Sequence, residues 1–181
     1  TMANIFLLID SLDEAKRAAE CAVGIYRELA KERPDVFWGE LALSLNNLGQ
    51  ILERMGCLED ALDALREAGD IRRVLARRYP KAFNGDLVFT LMGQGNVLAS
   101  LKRQQDALEI IRESIHISRC MVEQEFDAFC PILAKCLSNS IGHLMALNHR
   151  DDALCFARES VDIYHALIEK NPGAYELDYA N

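Results

Sequence analysis

Apolar side chains in the middle of the chain fall at the spacing of one helix face. Leu41, Leu45, Leu48 and Leu52 stand at i, i+4, i+7 and i+11, a stripe that an α-helix turns to one side. The pattern breaks at Met55-Gly56-Cys57-Leu58, where glycine suits a helix C-terminus. A second helix opens on Glu59 and Asp60, acids that the amino end of the helix dipole favours. Its stripe is Ala61, Leu65, Ala68, Arg72, Leu75 and Tyr79. Arg77 and Arg78 close it with the sign the dipole favours there. Pro80 is expected to end it, because proline has no amide hydrogen with which to continue the ladder.

This two-helix pattern recurs. The small residue after an acid returns as Ala15, Ala61, Ala107 and Ala153, forty-six positions apart each time. The same interval links Ile25, Ile71, Ile117 and Ile163, then Leu29, Leu75, Met121 and Leu167, then Phe37, Phe83, Phe129 and Tyr175. Leu45, Leu91 and Leu137 follow it, as do Phe6, Leu52, Leu98 and Leu144. Pro34, Pro80 and Pro172 obey it, and Phe126 interrupts it. No insertion or deletion is needed, so the chain is a tandem array. Writing A and B for the two helices, the pattern predicts B over about 13–32, A 37–55, B 59–78, A 83–101, B 105–125, A 129–147 and B 151–170. The array divides into a partial repeat 1–34, repeats 35–80, 81–126 and 127–172, and the start of a further helix at 173–181. Residues 4–9 align with 50–55 and are expected to be the tail of another A helix. Neither end carries a polar capping helix, so the uncapped terminal helices are expected to promote self-association.

Gly49 and Gly95 lie mid-helix on A, opposite the Ala61, Ala107 and Ala153 column on B. Such a glycine costs roughly 1 kcal/mol of helix propensity and implies a close helix–helix approach. Leu45, Leu48-Gly49, Leu52, Gly56, Ala61, Leu65 and Ala68 together resemble the tetratricopeptide repeat, whose signature places Leu-Gly in helix A and Ala in helix B of a 34-residue unit. The next period keeps Leu91, Gly95, Leu98, Ala107 and Ile111 but has Gln94 where leucine belongs; the third keeps Leu137, Leu144 and Ala153 but has Ile141 for the glycine. The phrase Leu45-Asn46-Asn47-Leu48-Gly49 and the twelve extra residues are similar to the long-repeat variety of kinesin light chains and of arrays in fungal and bacterial signalling ATPases. The extra length is expected at the end of helix B and in a longer loop before the next A. The resemblance implies an all-α solenoid of stacked antiparallel hairpins, wound as a right-handed superhelix.

It also implies a partner lying along the A helices. Carried over by position, the groove residues are Asn46, Asn47, Gln50 and Arg54, with Leu43 and Glu53, on one A helix; Phe89, Met92 and Asn96, with Ser100, on the next; and Lys135, Ser138 and Asn139, with Met145, on the third. Asn and Gln amides both donate and accept hydrogen bonds and would hold an extended backbone, while Phe89 and Met92 would take an apolar side chain.

Composition narrows the function. A net charge of −8 argues against nucleic acid as partner and against an anionic membrane surface. The longest apolar run, Ile5 to Ile9, is far short of the ~20 residues a membrane span needs. The six cysteines contain no CxxC pair and fit a reducing, cytoplasmic setting. No catalytic constellation, HExxH or phosphate-cradling glycine loop appears, so neither catalytic residues nor a cofactor are expected. His116 and Cys120, at i and i+4, lack a second ligand pair for a metal. His143 and His149 are expected in solvent, and Arg72, Arg73, Arg77 and Arg78 at a helix end facing its dipole. The reading is a non-enzymatic scaffold that binds a peptide or protein surface. The alternative is a sensor or oligomerisation segment of a larger STAND-type signalling ATPase.

Overall fold

A computed structural model describes the backbone of residues 2–170 and the side chains of residues 11–169. The helix expected at 173–181, with Pro172, Tyr175 and Tyr179, lies outside the described residues, as does the Phe6 side chain. Among those described there are seven helices and no strand: α1 (Met2–Glu32), α2 (Pro34–Arg54), α3 (Leu58–Arg78), α4 (Pro80–Ser100), α5 (Gln104–Gln124), α6 (Phe126–Ala146) and α7 (Arg150–Lys170). α2 to α7 are each 21 residues long. Their starts at 34, 80 and 126, and at 58, 104 and 150, reproduce the forty-six-residue interval. Two compact units result, residues 1–101 and 102–181. In each, consecutive helices pack as antiparallel hairpins, α1 to α4 in the first and α5 to α7 in the second.

The B helices are long, as expected, but the longer loop expected between B and the next A does not exist. A single residue, Arg33, Tyr79 or Glu125, separates the helices, so the extra length lies in the helices themselves. Each of these residues serves both neighbours. The Tyr79 amide donates to the Leu75 carbonyl at 2.8 Å and closes α3, while its own carbonyl accepts from Ala82 and Phe83 and opens α4. Pro34 and Pro80 therefore begin helices, where a missing amide hydrogen costs nothing. They push the preceding residue off the helical region, to φ −137° at Arg33 and −136° at Tyr79. Glu125 adopts φ −145° ahead of Phe126, so the bend does not require proline. Tyr79, counted in the stripe of B, is this linking residue and is exposed.

The A-to-B turn repeats a different device. Gly56, Lys102 and Asn148, forty-six apart, all take the left-handed conformation, at φ 78°, 63° and 62°. The Gly56 amide reaches the Glu53 carbonyl at 3.0 Å and the Cys57 amide reaches Leu52 at 2.9 Å; Asn148 and His149 repeat both bonds onto Met145 and Leu144. These pairs satisfy carbonyls that a helix end leaves orphaned. The same column places Asp10 where a turn was expected, but α1 runs through it as one helix. Left-handed backbone costs a non-glycine residue roughly 1–2 kcal/mol, and here the helix continues instead.

The periodic columns form the core. Leu45, Leu91 and Leu137, Leu52, Leu98 and Leu144, and Ala61, Ala107 and Ala153 are all buried. A Cβ on Gly49 would lie 2.6 Å from Leu65 Cγ and 3.2 Å from the Ala61 carbonyl oxygen, which is the close A–B approach the sequence implies. One ion pair also recurs between successive B helices. Arg27 holds Glu67 at 2.7 Å in the first unit, and Arg119 holds Glu159 at 2.8 Å in the second.

Replacing Lys102 by glycine should raise the midpoint of thermal unfolding, by up to about 1–2 kcal/mol of relieved strain. Asn148→Gly should gain less, because asparagine tolerates this conformation better than lysine. A calorimetric scan of both variants checks the order.

Candidate functional site

On α2, α4 and α6 the same four columns face solvent. They hold Leu43, Asn47, Gln50 and Arg54 on α2; Phe89, Gly93, Asn96 and Ser100 on α4; and Lys135, Asn139, Gly142 and Ala146 on α6. All are exposed apart from Gly93 and Asn139, which are half-buried. The spacing i, i+4, i+7, i+11 makes this a stripe opposite the buried leucines. In the first unit α2 and α4 lie against one another, with Phe83 Cε1 3.6 Å from where a Gly39 Cβ would sit. That unit therefore carries the stripe twice on adjacent helices. Amides from Asn47, Gln50 and Asn96 share it with Leu43 and Phe89, which are 46% and 44% exposed.

Two of the expected contact residues lie elsewhere. Met92 is buried in α4. Asn46 is buried beneath the stripe, in a polar cluster tying three helices together. From α3, Arg72 Nη1 donates to the Asp86 carbonyl at 2.9 Å, to Asn46 Oδ1 at 3.4 Å and to Thr90 Oγ1. Thr90 lies 3.2 Å from Asn46 Oδ1 and donates to the Asp86 carbonyl at 3.0 Å. Burial pushes the Arg72 guanidinium below its ordinary pKa, and the Asp86 carboxylate 4.0 Å away works in the opposite sense. Arg72 is thus the polar centre of the α2–α3–α4 packing and not a group at a helix end. Of its neighbours in sequence, Arg73 pairs with Asp70 and Arg78 with Asp35 of α2. Gln94, the departure from leucine, donates to the Leu65 carbonyl at 2.7 Å and adds a second α4-to-α3 tie.

The second unit repeats the arrangement with smaller groups. Ser118 and Cys136 occupy the columns of Arg72 and Thr90 and meet at 3.5 Å. Lys135 is exposed; Ser138 is exposed as a residue, but its hydroxyl lies 2.9 Å from that of Ser160 on α7. His143, expected in solvent, is buried at 9% exposure because it faces inward one position before Leu144. Burial lowers its pKa. His149 is exposed and 3.5 Å from Asp152. Among the described residues no group of three or more His, Cys, Asp or Glu is placed to hold a metal, and no helix is long and apolar enough to cross a membrane.

No family model matches the sequence, and no curated protein matches it either. The fold has relatives among solved structures. One is the crystal structure of BtubC (BKLC) from P. vanneervenii, a kinesin light chain-like protein of the tetratricopeptide type. It aligns over 86% of this chain with a TM-score of 0.66 and 19% identity. The aligned part spans 58% of BtubC. At that identity the likeness concerns the fold: an all-α helical repeat similar to the tetratricopeptide solenoids.

Asn46→Ala should cost about 1–3 kcal/mol, because it removes an acceptor from buried donors, whereas Gln50→Ala should stay within ~0.5 kcal/mol of the parent protein. Urea unfolding of the two variants measures the difference. His143 binds its proton less readily folded than unfolded, so stability should hold above the ordinary histidine pKa of ~6.5 and fall as pH drops below it. Urea midpoints at two pH values, with His143→Gln as the control that flattens the loss, check the sign.

Proposed function

We propose that this chain is a non-catalytic scaffold that holds a peptide or protein surface along the exposed stripe of its A helices. The observation that carries the reading is the doubled stripe of the first unit. Asn47, Gln50, Arg54, Phe89 and Asn96 stand in solvent while the neighbouring columns of α2 and α4 are buried. Amides able to donate and accept suit an extended backbone, and an exposed aromatic beside them gives an apolar anchor. In the second unit Lys135, Ser138 and Asn139 carry groups of similar chemistry on α6. Asn46 and Met92 support it from beneath, as packing rather than contact. The repeat-protein likeness favours partner binding over catalysis.

We read the chain as one array of repeats 35–80, 81–126 and 127–172, of the long-repeat, kinesin-light-chain-like variety. Support comes from 21-residue helices on a forty-six-residue interval and from the likeness to BtubC. Six cysteines with no disulfide between them support a cytoplasmic setting.

Photo-crosslinking side chains placed at Gln50 and Asn96 should capture the same partner, and one placed at exposed Arg66 on α3 should not. Capture from Arg66 alone would move the binding face off the A helices. The double variant Gln50→Ala/Asn96→Ala should keep its melting midpoint and lose that partner.

A further inference from the structure

A cleft of about 770 Å³ opens in the second unit between the end of α5, the start of α6 and the length of α7. Its floor includes Val122, Cys130, Leu133 and Ile163. No residue of the exposed stripe lines it. The first unit shows what belongs there. Two periods earlier the same columns hold Ala30, Trp38, Leu41 and Ile71, and Trp38 packs with Ile71 against the cluster containing Ala30 and Leu41. Where the first unit has an indole, the second has a thiol. Leu133 and Ile163 keep the leucine and isoleucine of those columns, and the Arg–Glu ion pair recurs with Glu159 on the cleft wall. Leu154, also lining the cleft, is 52% exposed.

The rim has a sign. Asp151 and Asp162 stand exposed on it, Glu159 is engaged by Arg119, and Arg158 is the one base among the lining residues. An aromatic group entering the floor would bring its neighbours against these carboxylates. The volume lies in the range of pockets that enclose a ligand group of drug-like size, and buried aromatics that fill such pockets dominate interface energies.

We propose that this cleft is a second docking site, which takes a bulky aromatic side chain from a partner protein segment carrying a basic residue beside it. The incoming ring occupies the space that Trp38 fills from within in the first unit.

The test titrates the full chain, followed by amide NMR, with an acetylated and amidated lysine–tryptophan–lysine peptide. The lysine–alanine–lysine peptide serves as the control. Saturable shifts centred on Leu133, Leu154 and Ile163 are expected with the first peptide only. Cys130→Trp fills the cleft from inside, and Leu154→Asp spoils its exposed apolar wall without touching the floor. Each should weaken binding by at least about tenfold, a difference of ~1.4 kcal/mol, with helical circular dichroism unchanged. Asp162→Lys should weaken the lysine-flanked peptide but not N-acetyltryptophanamide. Equal binding by the parent protein and both cleft variants, or shifts scattered over the chain, would overturn the proposal. So would concentration-dependent shifts at the same residues without peptide, which would mean that a second copy of the chain sits there.

Discussion

The structure rests on how little chain is spent between helices. No single helix here can bury its apolar stripe alone, so each depends on a neighbour delivered in the right register. One residue joins B to the next A, and three join A to B. With links that short the register is fixed by covalent reach, and a slip by one residue would rotate every stripe away from its partner. The links leave the helical region, through an extended residue at Glu125 and through left-handed ones at Lys102 and Asn148 that a side chain disfavours. That Asn148 holds this backbone without glycine shows that the packing of α6 on α7 outweighs local preference.

Within that frame each unit settles its buried polar groups differently. In the first, Arg72 reaches across from α3 and satisfies Asn46, Thr90 and the Asp86 carbonyl together. A buried guanidinium with all its neighbours engaged adds little net stability and makes any other arrangement of α2, α3 and α4 costly. In the second, the same columns are closed by Ser118 and Cys136, with Ser138 and Ser160 joining α6 to α7. Identical backbone spacing thus carries two side-chain solutions, one charged and wide, one neutral and small.

Much of the fold was legible because its signal is additive. Column upon column of leucine and alanine at one interval fixes helix count, hairpin pairing and the tight contact at Gly49. The boundary at proline is ambiguous in the sequence, because proline can end a helix or begin one, and only the following turn decides which. Binding positions were less legible. Asn46 is polar, yet it lies four residues after buried Ala42 and three before buried Gly49, and that spacing marks an inward position. Met92 shares its column. His143 was similarly betrayed by buried Ser140 three residues before it. Helical spacing from the buried positions places all three inward, whereas the family resemblance puts Asn46 and Met92 on the groove and the nearby turn puts His143 in solvent. The cleft beside Cys130 had a trace in the sequence too, as Trp38, Asn84 and Cys130 in one column, but a missing volume has meaning only once its walls are in place.

Trp38 is the single tryptophan of the chain, and it belongs wholly to the first unit, packed beside Ala30, Leu41 and Ile71. Its fluorescence is therefore a local gauge. Emission follows the loosening of α1 to α3, while far-ultraviolet dichroism sums every helix. Recorded together in one denaturation, the two signals tell whether the halves of this array melt as one body or in sequence, with no label and no engineered probe.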